Sequence, residues 1–157
     1  MTSKVKPIPE GYHSVTPHLV ASDAAGAIEF YKKAFGATEI IRHTDPGGKI
    51  RNAEVKIGDS MIMLADEFPE MGVVSPRSLG GSPVSFYLYV KDVDQVHREA
   101  LAAGGEEIYP VTDKFYGDRS GGVKDPFGHS WYIATHVEDV SPEELQKRAQ
   151  AQAAKEH

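Results

Sequence analysis

The side chains best suited to chemistry are concentrated in one short segment, residues 115–133. A specified turn, Asp125–Gly128, joins two predicted strands there, and alternate side chains of a strand share one face, so the segment could line a pocket. The sequence is equally consistent with a surface ion pair between Asp118 and Arg119 and a core position for Trp131. The polar and aromatic residues concerned are Tyr116, Asp118, Arg119, His129, Trp131 and Tyr132.

Metal-binding and nucleophilic chemistry are constrained by residue types. The chain has seven histidines and no cysteine, so any metal must be held by His, carboxylate or amide ligands. His18, Glu54 and His129 could form one such site, although a lone strand histidine is more often a hydrogen-bonded structural residue. The chain lacks a GxSxG nucleophile elbow, a P-loop and a dinucleotide-binding glycine motif. Solvent-facing positions are predicted for His43, His97 and His157, and positions flanking strands for His13 and His136.

Composition and charge exclude several partner classes. With 157 residues, 40% of them hydrophobic, the chain has the size of one domain or of two small repeated units. The net charge of -6 and the lack of a Lys/Arg-rich block argue against a nucleic-acid partner. No apolar run reaches the roughly 20 residues that span a bilayer, and the first residues lack a hydrophobic signal segment. We therefore expect a cytoplasmic protein with no membrane partner.

The elements that position these residues follow a recognisable order in the first half. A strand is predicted over residues 14–22, with Thr16 and His18 on one face. Asp23 is a suitable N-cap and Gly36 a suitable C′ residue, with apolar residues at helical spacing between them. Three further strands are predicted over residues 37–44, 49–57 and 60–66.

The second half repeats this order. Asp92 is again an N-cap, 69 residues after Asp23 (92 − 23), and strands are predicted over residues 115–123 and 130–136. Gly128–Tyr132 then takes the place that Gly58–Ile62 holds in the first half. The predicted organisation is an α+β chain with a first βαβββ unit at 12–66, a linker at 67–82, a second βαβββ unit at 83–140 and a helical tail at 141–157.

The motifs D-x3-AIEFY-x3-FGA and YGDRSG-x3-DPFGH-x-W, with the duplicated βαβββ order, resemble the vicinal oxygen chelate superfamily. This superfamily contains glyoxalase I, bleomycin-resistance proteins and extradiol dioxygenases, and the chain looks most similar to its PhnB-like branch. The resemblance implies that the two βαβββ repeats form a half-open barrel with a ligand in its concavity. It also implies a homodimer, in which units of two chains commonly complete each other's barrels.

The same resemblance carries four metal-ligand positions onto this chain: Thr16, Ile62 or Met63, Ser85 and Tyr132. None is a histidine or a carboxylate, and isolated hydroxyl groups are poor ligands for a divalent ion at neutral pH. PhnB-like relatives often have a histidine where this chain has Asn52. The resemblance therefore implies the fold but argues against the superfamily's metal chemistry, and we expect no cofactor.

These observations predict a metal-free protein that binds a small molecule in the barrel cleft, where Arg119 and His18 select anionic or hydrogen-bonding groups. Whether the protein is an enzyme stays open. One alternative is a metal-dependent lyase, isomerase or dioxygenase that uses a divalent ion at His18, Glu54 and His129; another is a metal-free enzyme with His18 or His129 as general base. A third is a subunit interface with no ligand. The predicted pocket residues are Thr16, His18, Ile62, Met63, Ser85, Tyr87, Arg119, Trp131 and Tyr132.

Overall fold

The structure, a computed structural model, describes residues 4–156. The chain divides into two compact units between Ser82 and Pro83, called unit 1 and unit 2 below. Each unit contains a four-stranded mixed sheet with one longer helix between its first and second strands, and a further helix ends unit 2. The predicted α+β fold of two βαβββ repeats with a C-terminal helix is confirmed.

Unit 1 has its strands in the order β1-β4-β3-β2, with β1 parallel to β4 and the other pairs antiparallel. The helix α1 begins where the Asp23 carboxylate accepts a hydrogen bond from the Gly26 N–H at 3.0 Å, and it ends at Gly36, which has φ 68°. Both predicted caps are therefore confirmed. The elements are β1 (His18–Ala21), α1 (Ala24–Phe35), β2 (Thr38–Thr44), β3 (Ile50–Ile57) and β4 (Ser60–Asp66).

Strand β1 is shorter than the predicted 14–22. Pro17 has no N–H to give to a ladder, and only its carbonyl takes part, accepting from the Met63 N–H at 2.9 Å. The regular strand therefore begins at His18, and Thr16 lies in the segment that leads into it.

The segment predicted as a linker, residues 67–82, contains regular structure and belongs to unit 1. It forms a 3₁₀ turn (Pro69–Met71) and a short helix, α2 (Pro76–Leu79). The Glu67 carboxylate accepts hydrogen bonds from the Ser75 N–H at 2.7 Å and the Ser78 hydroxyl at 2.5 Å. These bonds tie the start of the segment to the helix that follows.

Unit 2 repeats the topology, with its strands in the order β5-β8-β7-β6 and β5 parallel to β8. Its helix α3 is capped by Asp92, which accepts from the Gln95 N–H at 3.2 Å. The turn at Asp125 is confirmed, because this carboxylate accepts from the Phe127 and His129 N–H groups at 2.9 and 3.0 Å. The elements are β5 (Ser85–Tyr89), α3 (Val93–Ala102), β6 (Glu106–Asp113), β7 (Asp118–Lys124), β8 (Ser130–His136) and α4 (Pro142–Lys155).

Strand β7 begins at Asp118 and not at Phe115 as predicted. Residues 115–117 form a turn, closed by a hydrogen bond from the Gly117 N–H to the Lys114 carbonyl at 3.2 Å, and Gly117 has φ 99°. A positive φ is strained for residues with a Cβ but not for glycine. Gly117 therefore permits the turn, and the β7 ladder begins after it, at Asp118.

The predicted correspondence between the two repeats is wrong by one residue. His18 lies five residues before Asp23 (23 − 18) and pairs with Met63, whereas Tyr87 lies five residues before Asp92 (92 − 87) and pairs with Tyr132. Met63 and not Ile62 is therefore the counterpart of Tyr132. The hairpins between the last two strands of each unit differ in length, since Ile57 pairs with Ser60 in unit 1 and Lys124 pairs with Ser130 in unit 2. Because the prediction aligned the two units by these turns, its correspondence was shifted by one residue.

His97, predicted to face solvent, is buried in unit 2 and is only 5% exposed. Its ring packs so closely on β7 that a Cβ at Gly121 would lie 2.8 Å from its Cδ2. Within residues 4–156 its Nε2 has no hydrogen-bond partner. The helical period places residue 97 with buried Val93 and Ala100. His43 is exposed as predicted, and His157 lies outside the described residues.

No helix within residues 4–156 combines the length and apolar character that crossing a bilayer requires.

Candidate functional site

The sheet of unit 1 has one side covered by α1 and one side that we call the open face of unit 1. Ala53 and Leu64 are paired neighbours and both are fully buried. The adjacent register row contains His18, Met63 and Glu54, since Met63 pairs with both of the others. Side chains of adjacent rows point to opposite sides of a sheet, so these three residues lie on the open face.

A cavity of about 490 Å³ lies between the open face and the N-terminal arm, residues 4–17. Its walls are formed by residues 7–9, 12–14 and 16 of the arm and by Glu54 and Met63 of the sheet. The arm bends at residues 7–8 and turns at residues 9–12, where the Tyr12 N–H donates to the Pro9 carbonyl at 3.0 Å and Gly11 has φ 84°. The volume falls in the range of small-molecule sites, which is roughly 300–1,000 Å³.

Among the described residues of the cavity wall, Glu54 is the one carboxylate, and it is only 9% exposed. The hydroxyl of Tyr12 donates a hydrogen bond to its Oε1. Burial and the neighbouring Glu54 raise the pKa of Tyr12 to about 12. Tyr12 therefore stays protonated at neutral pH and serves as a donor that holds the arm against β3.

The structure brings some of the predicted pocket residues of unit 1 together and separates others. Thr16 and Met63 both line the cavity. His18 lies on the same open face but is exposed and is not part of the cavity wall. Ile62 is buried, 4% exposed, in the row that faces α1.

Of the arm residues in the cavity wall, sequence reasoning found Thr16 and missed Tyr12 and the others. No local pattern in the sequence reveals against which strand the arm lies. The tyrosine's position after Gly11 carries no periodic signal either. The contact depends on a pairing 42 residues apart, between Tyr12 and Glu54.

Unit 2 has an equivalent open face with a different composition. Its central register row contains Tyr87, Tyr132, Gly122 and Tyr109. The rings of Tyr109 and Tyr132 stack at a centroid distance of 5.7 Å, and a Cβ at Gly122 would lie 2.9 Å from Tyr109 Cε1. The absence of a side chain at Gly122 thus lets the two rings meet. The predicted pocket residue Ser85 is exposed at the start of the same strand as Tyr87.

Asp118 is a buried acid of unit 2, 3% exposed, like Asp125 in the turn before β8. Its Oδ2 accepts from the Tyr87 and Tyr89 hydroxyls at 2.8 and 2.9 Å, and its Oδ1 lies 2.8 Å from His136 Nδ1. His136 Nε2 lies 2.7 Å from a carboxylate oxygen of Asp139. Asp118 therefore has three partners, all from its own sheet.

The contacts within this cluster shift the pKa values of its members. Burial alone would raise the pKa of Asp118, but the hydrogen bonds from His136, Tyr87 and Tyr89 outweigh it and the pKa is lowered. The same carboxylate, followed by Asp139, raises the pKa of His136. Burial and the hydrogen bond to Asp118 raise the pKa of Tyr87. Near neutral pH the cluster thus holds an ionised Asp118 and protonated tyrosines.

The remaining predicted residues of unit 2 are engaged elsewhere. Arg119 donates to both carboxylate oxygens of Asp94 at 2.9 Å and to Asp113 at 3.2 Å, so the suggested pair of Asp118 with Arg119 does not form. Trp131 is buried, 2% exposed, and its Nε1 donates to Asp125 at 3.0 Å. Its ring stacks on Phe86 at 4.7 Å.

The donor set at the metal positions that the sequence resemblance implies does not fit a divalent ion. Unit 1 offers the Thr16 hydroxyl and the Met63 thioether there, and unit 2 offers the hydroxyls of Ser85 and Tyr132. Hydroxyl and thioether groups are weak ligands compared with imidazole and carboxylate. Across residues 4–156 no group of three or more His, Asp or Glu side chains has an arrangement that could hold a metal ion.

The comparison with known proteins agrees with this architecture. The family model described as Glyoxalase/Bleomycin resistance protein/Dioxygenase superfamily matches residues 12–133. The uncharacterized protein Rv0887c of Mycobacterium tuberculosis is 42% identical over 142 residues, 88% of this chain and 84% of that protein. The uncharacterized protein At5g48480 of Arabidopsis thaliana is 30% identical over 124 residues, 74% of each protein.

Solved structures show the same fold. The X-ray structure of the At5g48480 gene product is 28% identical, with a TM-score of 0.63 over 78% of this chain and 98% of that one. The PhnB protein from Bacillus cereus has a TM-score of 0.58 at 20% identity, over 78% of this chain and 99% of that one. The family match covers most of the chain and the relatives extend over most of their own length. The chain therefore belongs to the glyoxalase/bleomycin resistance protein/dioxygenase superfamily.

Proposed function

We propose that this chain is a metal-free, PhnB-like member of the superfamily that binds a small organic molecule on the open face of unit 1. The observation that carries the proposal is the cavity of about 490 Å³, whose walls include Thr16 and Met63. These are two of the positions at which metal-dependent relatives place ion ligands. A hydroxyl and a thioether there suit contact with an organic ligand better than coordination of an ion.

The walls of the cavity support an amphipathic ligand. Ile8, two prolines and Met63 supply apolar surface, while Thr16 and Glu54 supply polar groups that can orient a ligand. Small-molecule sites typically combine apolar walls with a few polar groups in this way. Selection of an anion by Arg119, expected from the sequence, is not supported, because two carboxylates already neutralise its guanidinium.

We also propose that the protein acts as a homodimer in the cytoplasm. The absence of cysteine from the sequence is consistent with a reducing compartment, and cyclic symmetric dimers are the commonest oligomers. Light scattering should give twice the 17.1 kDa chain mass. A mass equal to one chain at micromolar concentration would remove the dimer and leave the cavity proposal in place.

The binding proposal can be tested with methionine-methyl ¹³C NMR, because Met63 lines the cavity and a bound ligand would shift its methyl resonance. A Met63→Leu variant assigns the resonance, and mixtures of small aromatic and aliphatic compounds are then added. We expect at least one compound to shift the Met63 methyl resonance and to leave that of the exposed Met71 in place. If no compound of any charge shifts Met63, the binding proposal is wrong.

A separate measurement tests the proposal that the protein binds no metal ion. Protein purified without an affinity tag is incubated with Ni²⁺, Zn²⁺, Mn²⁺ or Fe²⁺, desalted and analysed for metal content. We expect far less than one ion per chain. Near-stoichiometric metal that disappears in His18→Ala or His129→Ala would favour a metal-dependent lyase, isomerase or dioxygenase.

A further inference from the structure

We propose that Glu54 makes the cavity of unit 1 selective for organic cations, namely ammonium or amidinium groups attached to a small apolar body. The inference rests on the proposed function, since it specifies the ligand class of that same cavity. It is the opposite of the anion preference that the sequence suggested.

The first step is the charge of the cavity wall. Among the described residues that form it, Glu54 is the one acid, and there is no lysine or arginine. His13 is the one imidazole among them. The acidic and basic side chains of the wall other than this histidine therefore give it a negative character, which comes from Glu54.

The second step is the hydrogen-bonding capacity of that carboxylate. Tyr12 donates to Oε1, and within residues 4–156 the structure shows no hydrogen bond to Oε2. An ionised carboxylate has about four acceptor positions, so Glu54 retains capacity for a donor from a ligand. Hydrogen bonds between an ionised acceptor and a cationic donor are about twice as strong as neutral ones.

The third step is that nearby cations do not neutralise Glu54. On the arm, Lys6 forms an ion pair with Glu10 at 2.5 Å, and both side chains are well exposed. Lys56 lies two residues along β3 and on the same face, but it is exposed to solvent and is not part of the cavity wall. The charge of Glu54 therefore remains available inside the cavity.

The fourth step is the apolar remainder of the cavity, which favours a cation with a hydrophobic body over a hydrated inorganic ion. Ile8 and the two arm prolines offer aliphatic surface beside the Tyr12 ring. Aromatic rings attract cations through their π faces, and methionine sulfur is polarisable. A small inorganic cation would find one carboxylate where it requires several oxygen ligands.

The test uses three probes of nearly equal size: benzylammonium, benzyl alcohol and benzoate. Each is titrated into the full-length protein while the Met63 methyl resonance is followed. We expect benzylammonium to bind about tenfold more tightly than benzyl alcohol, because a charge-assisted hydrogen bond replaces a neutral one. Benzoate should bind more weakly than either, since its charge repels Glu54.

The decisive variant is Glu54→Gln, which keeps the side-chain shape and the acceptor for Tyr12 but removes the charge. We expect the preference for benzylammonium over benzyl alcohol to disappear. Glu70→Gln is the matched control, because it removes the same charge from an exposed position outside the cavity and should leave the preference intact. Unchanged methyl resonances of the buried Met61 verify that each variant is folded.

A second variant, Tyr12→Phe, keeps the aromatic ring and removes the hydroxyl that competes for Glu54. The preference for benzylammonium over benzyl alcohol should be retained or increased, because Glu54 keeps its carboxylate even if the arm loosens and weakens both probes alike. Loss of the preference would contradict the assigned role of the carboxylate. Equal binding of the three probes at Met63 would overturn the cation inference while leaving small-molecule binding intact. A silent Met63 with all three probes would overturn the inference, and a silent Met63 with every compound of the broader mixtures would overturn the proposed function as well.

Discussion

The two units place a buried carboxylate on the same kind of surface but surround it differently. Within residues 4–156, Glu54 of unit 1 accepts from one donor, Tyr12, which comes from the arm and not from the repeated βαβββ unit. In unit 2, Asp118 has three partners from its own sheet, Tyr87, Tyr89 and His136. The first carboxylate borders a cavity and keeps unused acceptor capacity, whereas the second has its acceptors occupied by the fold.

The central rows of the two open faces show the same divergence. His18, Met63 and Glu54 in unit 1 correspond by strand pairing to Tyr87, Tyr132 and Gly122 in unit 2. Where unit 1 has an acid, unit 2 has a glycine, and the ring of Tyr109 occupies the space.

The difference suggests that the buried carboxylates of the two repeated sheets have different roles, one in stability and one in binding. A buried carboxylate with all its donors supplied by the sheet contributes to stability, because each bond offsets part of its desolvation. A carboxylate with one donor beside a cavity contributes less to stability and more to binding.

Among the substitutions that test these two roles, the removal of the Asp118 carboxylate should have the largest effect on the free energy of unfolding. We expect Asp118→Ala to lower the free energy of unfolding by about 2–3 kcal/mol, since three hydrogen bonds to an ionised group are lost while the exposed donors regain water. Glu54→Ala should cost less than about 1 kcal/mol, because only one bond is lost and the site is open to water. Urea denaturation monitored by Trp131 fluorescence and circular dichroism measures both.

Asp113→Ala is the matched control in unit 2, because it removes a carboxylate from the same sheet that serves only an exposed ion pair with Arg119. It should change the free energy of unfolding by less than about 0.5 kcal/mol. Equal costs for Asp118→Ala and Glu54→Ala would contradict the contrast between the two acids.

A smaller loss of stability is expected when a side chain is added at Gly122, the position in unit 2 that corresponds to Glu54 in unit 1. In Gly122→Ala the new Cβ would lie 2.9 Å from the Tyr109 ring and 3.1 Å from Ile108 Cβ, so Tyr109 must move off Tyr132. Overpacking of this kind typically costs about 1–3 kcal/mol, and the loss of glycine flexibility in the unfolded chain returns about 0.4–1 kcal/mol. We expect a net destabilisation of about 1 kcal/mol in urea denaturation.

The double variant Gly122→Ala, Tyr109→Leu identifies the cause. If the ring is the obstacle, the cost of Gly122→Ala should shrink in the Tyr109→Leu background, because the flexible leucine leaves room for the methyl group. The same cost in both backgrounds would mean that the Tyr109 ring is not the obstacle and that the contact with Ile108 or the backbone of β7 requires glycine.

Local signals predicted the elements well, since their physical causes lie within a few residues. Asp23 and Asp92 cap helices by bonding to N–H groups three residues away, and Asp125 organises a turn through N–H groups two and four residues away. Such interactions depend on residue type and spacing alone, so a sequence reveals them.

The site was less predictable because its contacts join distant segments. Tyr12 reaches Glu54 across 42 residues, and Tyr87 reaches Asp118 across 31. Register also mattered, since a shift of one residue exchanges Ile62 for Met63 on the open face. His97 was misjudged for another reason: its polarity favoured a surface position, whereas the buried stripe of α3 includes it.

The smallest predicted effect concerns pH and the histidine of the unit 2 cluster. Because Asp118 and Asp139 raise the pKa of His136 in the folded state, the charged imidazole adds stability below its ordinary pKa of about 6.5. This contribution is lost as the pH rises through the higher folded value. His136→Gln should therefore cost more stability near pH 5.5 than near pH 8.5, about one unit below and two units above that ordinary value. In the Asp118→Ala background the pH dependence of the cost should shrink, since the main cause of the raised pKa is gone. An undiminished dependence there would assign the raised pKa to Asp139 and weaken the view of Asp118 as the centre of the cluster.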